Sequence, residues 1–184
     1  MPMAALPHLV EGLEALGCEI SPGQIAMFET YRDELLRWNR GTNLTAITDP
    51  VEIEIRHFLD SLTVLKALDA RDTTTGLNLL DVGAGAGLPG IPLKVILSDA
   101  RLVLLEATGK KAAFLSHVVR LLGLKDTTVV HARAEVLAHD AAHRERYDVV
   151  VARAVAPLAT LAELCLPFAA VGGQFLAPKK GDFA

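Results

Sequence analysis

The chain has 184 residues, of which 51% are hydrophobic and 22% charged, and a formal net charge of −4. That length holds one core-bearing domain with a small extension, and the composition is ordinary for a globular protein. No uncharged apolar run reaches membrane-spanning length, the first residues lack the basic cluster of a targeting peptide, and the acidic balance does not mark a general nucleic-acid binder; a soluble cytoplasmic protein is expected.

Residues 1–70 read as a helical extension. Leu6, Leu9, Val10, Leu13 and Leu16 recur at helical spacing, and Gly17 suits the stop. Ser21-Pro22-Gly23-Gln24 has the form of a capping box with proline at the first helical position, opening a helix to about Trp38. The polar stretch from Asn39 to Asn43, with Gly41 inside it, reads as an exposed turn. Asp49-Pro50-Val51-Glu52 then starts a helix carrying Ile53, Ile55, Phe58, Leu59, Leu62 and Leu65. Arg71 to Gly76 reads as a linker.

From residue 77 to 184 the pattern changes. Short apolar runs at Leu77–Val82, Arg101–Leu105, Thr127–His131, Tyr147–Ala152 and Gln174–Ala177 read as strands. Helical stretches separate most of them, at Ile91–Leu97, Lys110–Leu122 and Leu158–Ala169. Strands alternating with helices imply an α/β fold, a doubly wound and mostly parallel sheet buried on both faces. The chain stops just after the fifth strand, at Lys179-Lys180-Gly181-Asp182, which reads either as a truncation leaving a bare sheet edge or as an edge that another chain covers.

The first strand of this region runs into Asp81-Val82-Gly83-Ala84-Gly85-Ala86-Gly87. Ligands of open α/β sheets bind beyond the carboxyl ends of the strands, and glycines there let backbone approach a ligand. Glu106 ends the second strand, where a carboxylate accepts hydrogen bonds from ribose hydroxyls. Asp81 suits a cofactor with a cationic amino-acid tail, such as S-adenosylmethionine, or else simply caps the helix that follows. Gly85 to Gly90 also matches GxGxxG, so a nicotinamide-binding oxidoreductase is an alternative; Pro89 and Pro92 disturb the helix start that a pyrophosphate needs.

Further stretches make the likeness more specific: Trp38-Asn39 with Asn43-Leu44-Thr45-Ala46-Ile47, Arg56-His57 with Asp60-Ser61-Leu62, Asp81 to Pro92, Arg133-Ala134-Glu135, and Tyr147 to Pro157. In that order they resemble the bacterial 16S ribosomal RNA guanine-N7 methyltransferases, also called glucose-inhibited division protein B. The resemblance implies a class I, Rossmann-like methyltransferase domain using S-adenosyl-L-methionine. It implies cofactor contacts at Gly83, Leu88, Glu106, Ala107, Thr108, Ala134, Glu135 and Arg153, beside Asp81, Gly85 and Gly87 of the loop. Arg153 is the candidate catalytic residue, as a positioning cation rather than a proton carrier. Family members continue for about another 60 residues, enough to cover the sheet edge. A class-sharing methyltransferase of another substrate, and a non-catalytic nucleotide-binding scaffold, are the remaining readings.

The implied partner is 16S ribosomal RNA within the small subunit, met by a monomer. Lys110, Lys111, Asn39 and Asn43 are the expected RNA contacts, on a rim shared with Arg32, Arg37, Arg40, Arg56 and Arg120. His139 and His143, four apart, read as surface histidines rather than metal ligands, so no metal is expected. His57 and Asp60 lie one helical turn apart and read as a link between extension and sheet. Tyr31 and Trp38 read as core aromatics, and Cys18 and Cys165 as two reduced cysteines.

Overall fold

A computed structural model describes residues 6–68, 76–153 and 157–178. Most of the expected linker, residues 71–75, lies outside this range, as do Ala154-Val155-Ala156 and the stretch from Lys179 to Asp182.

Helix α1 (Pro7–Ala15) begins on proline and ends before Gly17, whose φ of 75° supplies the left-handed turn. Helix α2 spans Pro22–Thr42. Its capping box is formed: Ser21 N–H donates to Gln24 Oε1 at 2.8 Å, and Gln24 N–H donates to Ser21 Oγ at 3.3 Å. The helix passes straight through the turn expected at Asn39–Asn43. One glycine costs a helix only about 1 kcal/mol, and the left-handed residue that ends it is Asn43, not Gly41.

Asp49 caps the next segment by accepting the Glu52 N–H at 2.9 Å. The single helix expected there is divided into α3 (Pro50–Ile53), a π-helical turn (Glu54–Leu59), α4 (Asp60–Leu62) and a 3₁₀ turn (Thr63–Ala67). The π turn inserts a residue and shifts the buried face: Ile55, expected in the core, is exposed, while Glu54, His57 and Phe58 are buried.

Strands β1 (Asn78–Val82), β2 (Arg101–Glu106), β3 (Thr127–His131), β4 (Tyr147–Val151) and β5 (Ala169–Leu176) form one sheet in the order β3-β2-β1-β4-β5, with every described pairing parallel. Helices α5 (Gly90–Ile96), α6 (Gly109–Leu121), α7 (Ala134–Leu137) and α8 (Leu158–Cys165) connect the strands. The strand order reverses between β1 and β4, the crevice in which such sheets bind ligands.

The last strand starts earlier than expected. Pro167 cannot donate to a helix, so α8 gives way to a 3₁₀ turn (Leu166–Phe168) and β5 begins at Ala169. The β4–β5 register jumps from Tyr147↔Ala169 to Val149↔Gln174. At Gly173 a side chain would come within 3.0 Å of the Tyr147, Ala170 and Asp148 carbonyl oxygens, so only glycine passes there.

One continuous apolar core runs from the N-terminal helices (Leu9, Leu13, Phe28, Tyr31, Phe58) into one side of the sheet (Leu79, Leu104, Val149). A second core lies on the other side, around Leu80, Val150, Leu161 and Phe168. Cys18 and Cys165 are both free thiols. Among the described residues no helix is long and apolar enough to cross a membrane.

Candidate cofactor site

The strand register gathers the predicted residues at one end of the sheet. Asp81 lies opposite Leu104 and Val151, and Val82 opposite Leu105. The loop after β1, the Glu106 tip of β2 and Arg153 just past β4 therefore emerge side by side.

The loop is held from both flanks. Gly83 N–H and Ala84 N–H donate to the Leu105 carbonyl at 2.8 and 3.0 Å. Glu106 is buried with its carboxylate turned into the loop: Oε2 accepts Gly85 N–H at 2.8 Å and Oε1 accepts Thr108 N–H at 2.7 Å. Each oxygen keeps a lone pair for a hydroxyl. Gly83, Gly85 and Gly87 all have positive φ. A side chain on Gly85 would meet only the Gly83 carbonyl, at 3.8 Å, so the loop's outer face is open. One on Gly87 would strike Ile91 at 2.4 Å. Leu88 is buried beneath the loop in the main core.

Asp81 is completely buried. Its Oδ2 accepts Gly90 N–H, at the start of α5, at 2.8 Å. This is the helix-capping alternative, realised by one oxygen. The other oxygen, Oδ1, has no hydrogen-bond partner among the described residues. Burial pushes the carboxyl up to about 7, against the opposing pull of the Gly90 N–H and the Arg153 cation; Glu106 adds to the rise. An orphaned acceptor beside an open glycine cradle fits a cofactor that brings a cationic donor. It does not fit a pyrophosphate, because Asp81 already occupies the N–H at the helix start.

Arg153 is mostly buried and donates through Nη1 to Asp60 Oδ2 at 2.9 Å. Asp60 thus faces Arg153. Asp60 therefore links the extension to the sheet, whereas His57, with Nε2 2.7 Å from Thr45 Oγ1, makes that contact within the extension. Tyr31 contributes the other link: its hydroxyl donates to the Ala86 carbonyl at 2.5 Å, and its ring stacks on Phe58. Burial raises the Tyr31 phenol well above its ordinary range, keeping it a donor. Sequence reasoning assigned Tyr31 to the core, which is correct, yet missed its hold on the loop; no local pattern marks a bond between residues this far apart.

The remaining predicted positions are more exposed. Ala107 and Thr108 lead into α6, and the Ala107 carbonyl lies 3.1 Å from His131 Nε2. Ala134 is half-buried at the start of α7. Glu135 is exposed and turned to Arg133 (2.6 Å), whose guanidinium holds its carboxyl below the usual range.

Lys110 is exposed and Lys111 half-buried on the first turn of α6. Asn39 is not in an exposed turn: Oδ1 accepts Leu44 and Thr45 N–H at 2.7 and 2.9 Å, and Nδ2 donates to the Thr45 carbonyl at 2.9 Å. All of its side-chain polar atoms are thus engaged in shaping the segment after α2. Asn43 is exposed. Arg32, Arg37 and Arg56 pair with Asp33, Glu34 and Glu52. Trp38 packs on Phe114 and His117. His139 and His143 lie beyond α7 rather than on one helix face, and His143 stacks on Tyr147.

The family model described as rRNA small subunit methyltransferase G (GidB) matches residues 24–183. A ribosomal RNA small subunit methyltransferase G of Roseiflexus sp. is 51% identical over 176 residues, which are 96% of this chain and 74% of that protein. Its counterpart in Dehalococcoides mccartyi is 50% identical over 175 residues, 95% of this chain and 73% of the relative. Solved structures share the fold at low identity. A precorrin-6y C5,15-methyltransferase of Geobacter metallireducens aligns with a TM-score of 0.51 at 16% identity, over 65% of this chain and 60% of that one. The YcgJ protein of Bacillus subtilis aligns with a TM-score of 0.53 at 16% identity, over 66% and 50%. The sheet order, the glycine loop and the sequence likeness across most of the chain agree, and the chain belongs to the rRNA small subunit methyltransferase G family.

Proposed function

We propose that this protein transfers a methyl group from S-adenosyl-L-methionine to ring nitrogen 7 of a guanine in 16S ribosomal RNA. The observation that carries the reading is the buried Asp81, with one oxygen unpartnered, beneath an open glycine loop that Glu106 anchors. Asp81 accepts from the amino group of the cofactor's tail, Glu106 from its ribose hydroxyls, and Arg153 faces the tail carboxylate. Ala134 and Glu135 border the adenine.

When bound, the cofactor supplies an electrophilic methyl group on a sulfonium. Guanine N7 carries a lone pair and no proton, so the protein needs no general base. What its residues supply is position: the loop, clamped by Tyr31 and Glu106, and Arg153, held by Asp60, set donor and acceptor in line.

The RNA approaches over the first turn of α6 and the end of α2. Lys110, Lys111, Arg40 and Arg120 have no ion-pair partner among the described residues, while Arg32, Arg37 and Arg56 are neutralised locally. With a net charge of −4 the protein has little nonspecific pull on RNA, so the substrate is folded RNA within the small subunit, in the cytoplasm, and the protein acts as a monomer. Transfer of labelled methyl groups to small subunits from cells lacking the enzyme, followed by mapping of the modified base, tests the reading. Modification at a guanine N7 is the expected result; labelling of protein or of another base position would refute it.

A further inference from the structure

At the same end of β1 and β4, a buried carboxyl and a guanidinium emerge from neighbouring strands without pairing with each other. Asp81 is fully buried, with Oδ1 unpartnered among the described residues. Arg153 leaves β4 two residues after Val151, the register partner of Asp81, and its cation acts on both Asp81 and Tyr31. A buried carboxylate oxygen and a nearby guanidinium would ordinarily close into a salt bridge, because an uncompensated buried charge is costly. Here the guanidinium is instead turned to Asp60, with Nη1 2.9 Å from Oδ2.

Asp60 is well placed to hold it there. The preceding π-helical turn is fixed on several sides without help from the Asp60 side chain. Glu54 Oε1 accepts Leu9 N–H at 2.7 Å, His57 meets Thr45 at 2.7 Å, and Phe58 packs on Phe28 and Tyr31. The Asp60 side chain is about one-third exposed, so it keeps part of its hydration while binding Arg153.

We infer that Asp60 is a positioning residue that draws the Arg153 guanidinium away from Asp81, keeping the second Asp81 oxygen open for the cofactor's ammonium and Arg153 open for its carboxylate. This rests on the proposed function and deepens it: the two charges of the amino-acid tail are matched by two protein charges kept apart by a third. Without Asp60, Arg153 closes onto Asp81 and the tail loses both partners at once. The other groups acting on or beside Asp81 are Glu106, Tyr31 and Cys165, and Asp60→Asn changes none of them.

The test compares the wild-type protein with Asp60→Asn, Asp60→Ala and Asp60→Glu. The Asp81 carboxyl carbon is titrated by NMR without cofactor, and S-adenosylmethionine is titrated by calorimetry. In Asp60→Asn and Asp60→Ala the Asp81 midpoint should fall by about one pH unit and cofactor affinity by about tenfold, with Asp60→Glu restoring both. A merely structural ion pair gives a different result: a lower melting temperature, an unmoved Asp81 midpoint and unchanged affinity in Asp60→Asn. That result overturns the inference. Absence of cofactor binding to the wild type would instead remove the functional reading, and the Asp81 midpoint without cofactor would still decide whether Asp60 separates the charges.

Discussion

The Glu106 carboxylate accepts the Gly85 N–H at 2.8 Å, so the tip of β2 carries the loop that follows β1. Its other oxygen holds Thr108 N–H, the residue before α6. One side chain thus sets the shape of two loops around the crevice. Glu106→Ala leaves both N–H groups without their acceptor, a loss of about 1 kcal/mol at the half-buried Gly85 N–H and less at the exposed Thr108 N–H, which water can satisfy. Cofactor affinity measured by calorimetry should drop by at least about tenfold. Glu106→Gln, which keeps an acceptor but loses the charge, should fall between the wild type and the alanine variant.

Gly90→Ala and Gly85→Ala should separate packing from binding. A methyl group at Gly90 would sit 2.8 Å from both Asp81 Oδ2 and Leu104 Cδ2. Overpacking of this kind costs about 1–3 kcal/mol, readable in urea unfolding. At Gly85 there is room, and the cost is the positive φ of 58°, roughly 1 kcal/mol. That variant should stay folded yet lose affinity, because its methyl group occupies the open face of the loop.

Stability without cofactor should fall as pH rises from about 4 to about 7. The Asp81 carboxyl is raised from 3.8 to about 7 by burial, so the folded protein holds this proton more tightly than the unfolded chain does. Its full contribution is present below the unfolded value and is lost as pH passes through the folded one, up to roughly 4 kcal/mol. Asp81→Asn should flatten that part of a pH series of denaturation midpoints; an unchanged slope would contradict the assignment.

Tyr31→Phe removes the hydroxyl that donates to the Ala86 carbonyl while keeping the ring on Phe58. The loss should be about 1–2 kcal/mol. Hydrogen exchange at Gly87 and Leu88, whose N–H groups both bond to the Ala84 carbonyl, should accelerate more than exchange in β4.

Charge reversal at Lys110 and Lys111 should weaken binding to small-subunit RNA. It should also reduce the salt dependence of that binding, by about one unit of slope for each phosphate no longer neutralised. Cofactor affinity should hold. Arg56→Ala, which breaks an exposed pair with Glu52, should alter protein stability by less than about 0.5 kcal/mol.

Local chemistry made much of this molecule legible. Ser21-Pro22 and Asp49-Pro50 start helices because their side chains accept backbone N–H groups three residues on. Gly17 ends α1 because it takes a left-handed φ that other residues resist. Asp81, Gly83 and Glu106 were readable as neighbours because strand ends in a parallel sheet lie together. Other features depend on partners distant in sequence. Asn39 looked like an exposed turn residue until its side chain met Leu44 and Thr45, and β5 looked short because Gly172 and Gly173 conceal a strand that only its register with β4 reveals. Arg153 was identifiable as a cation at a strand tip, but whether it would pair with Asp81 or Asp60 was not. Periodicity records which face of an element is apolar; the choice between two carboxylates is made by packing, which turns Asp60 toward the guanidinium and leaves one oxygen of Asp81 buried and waiting.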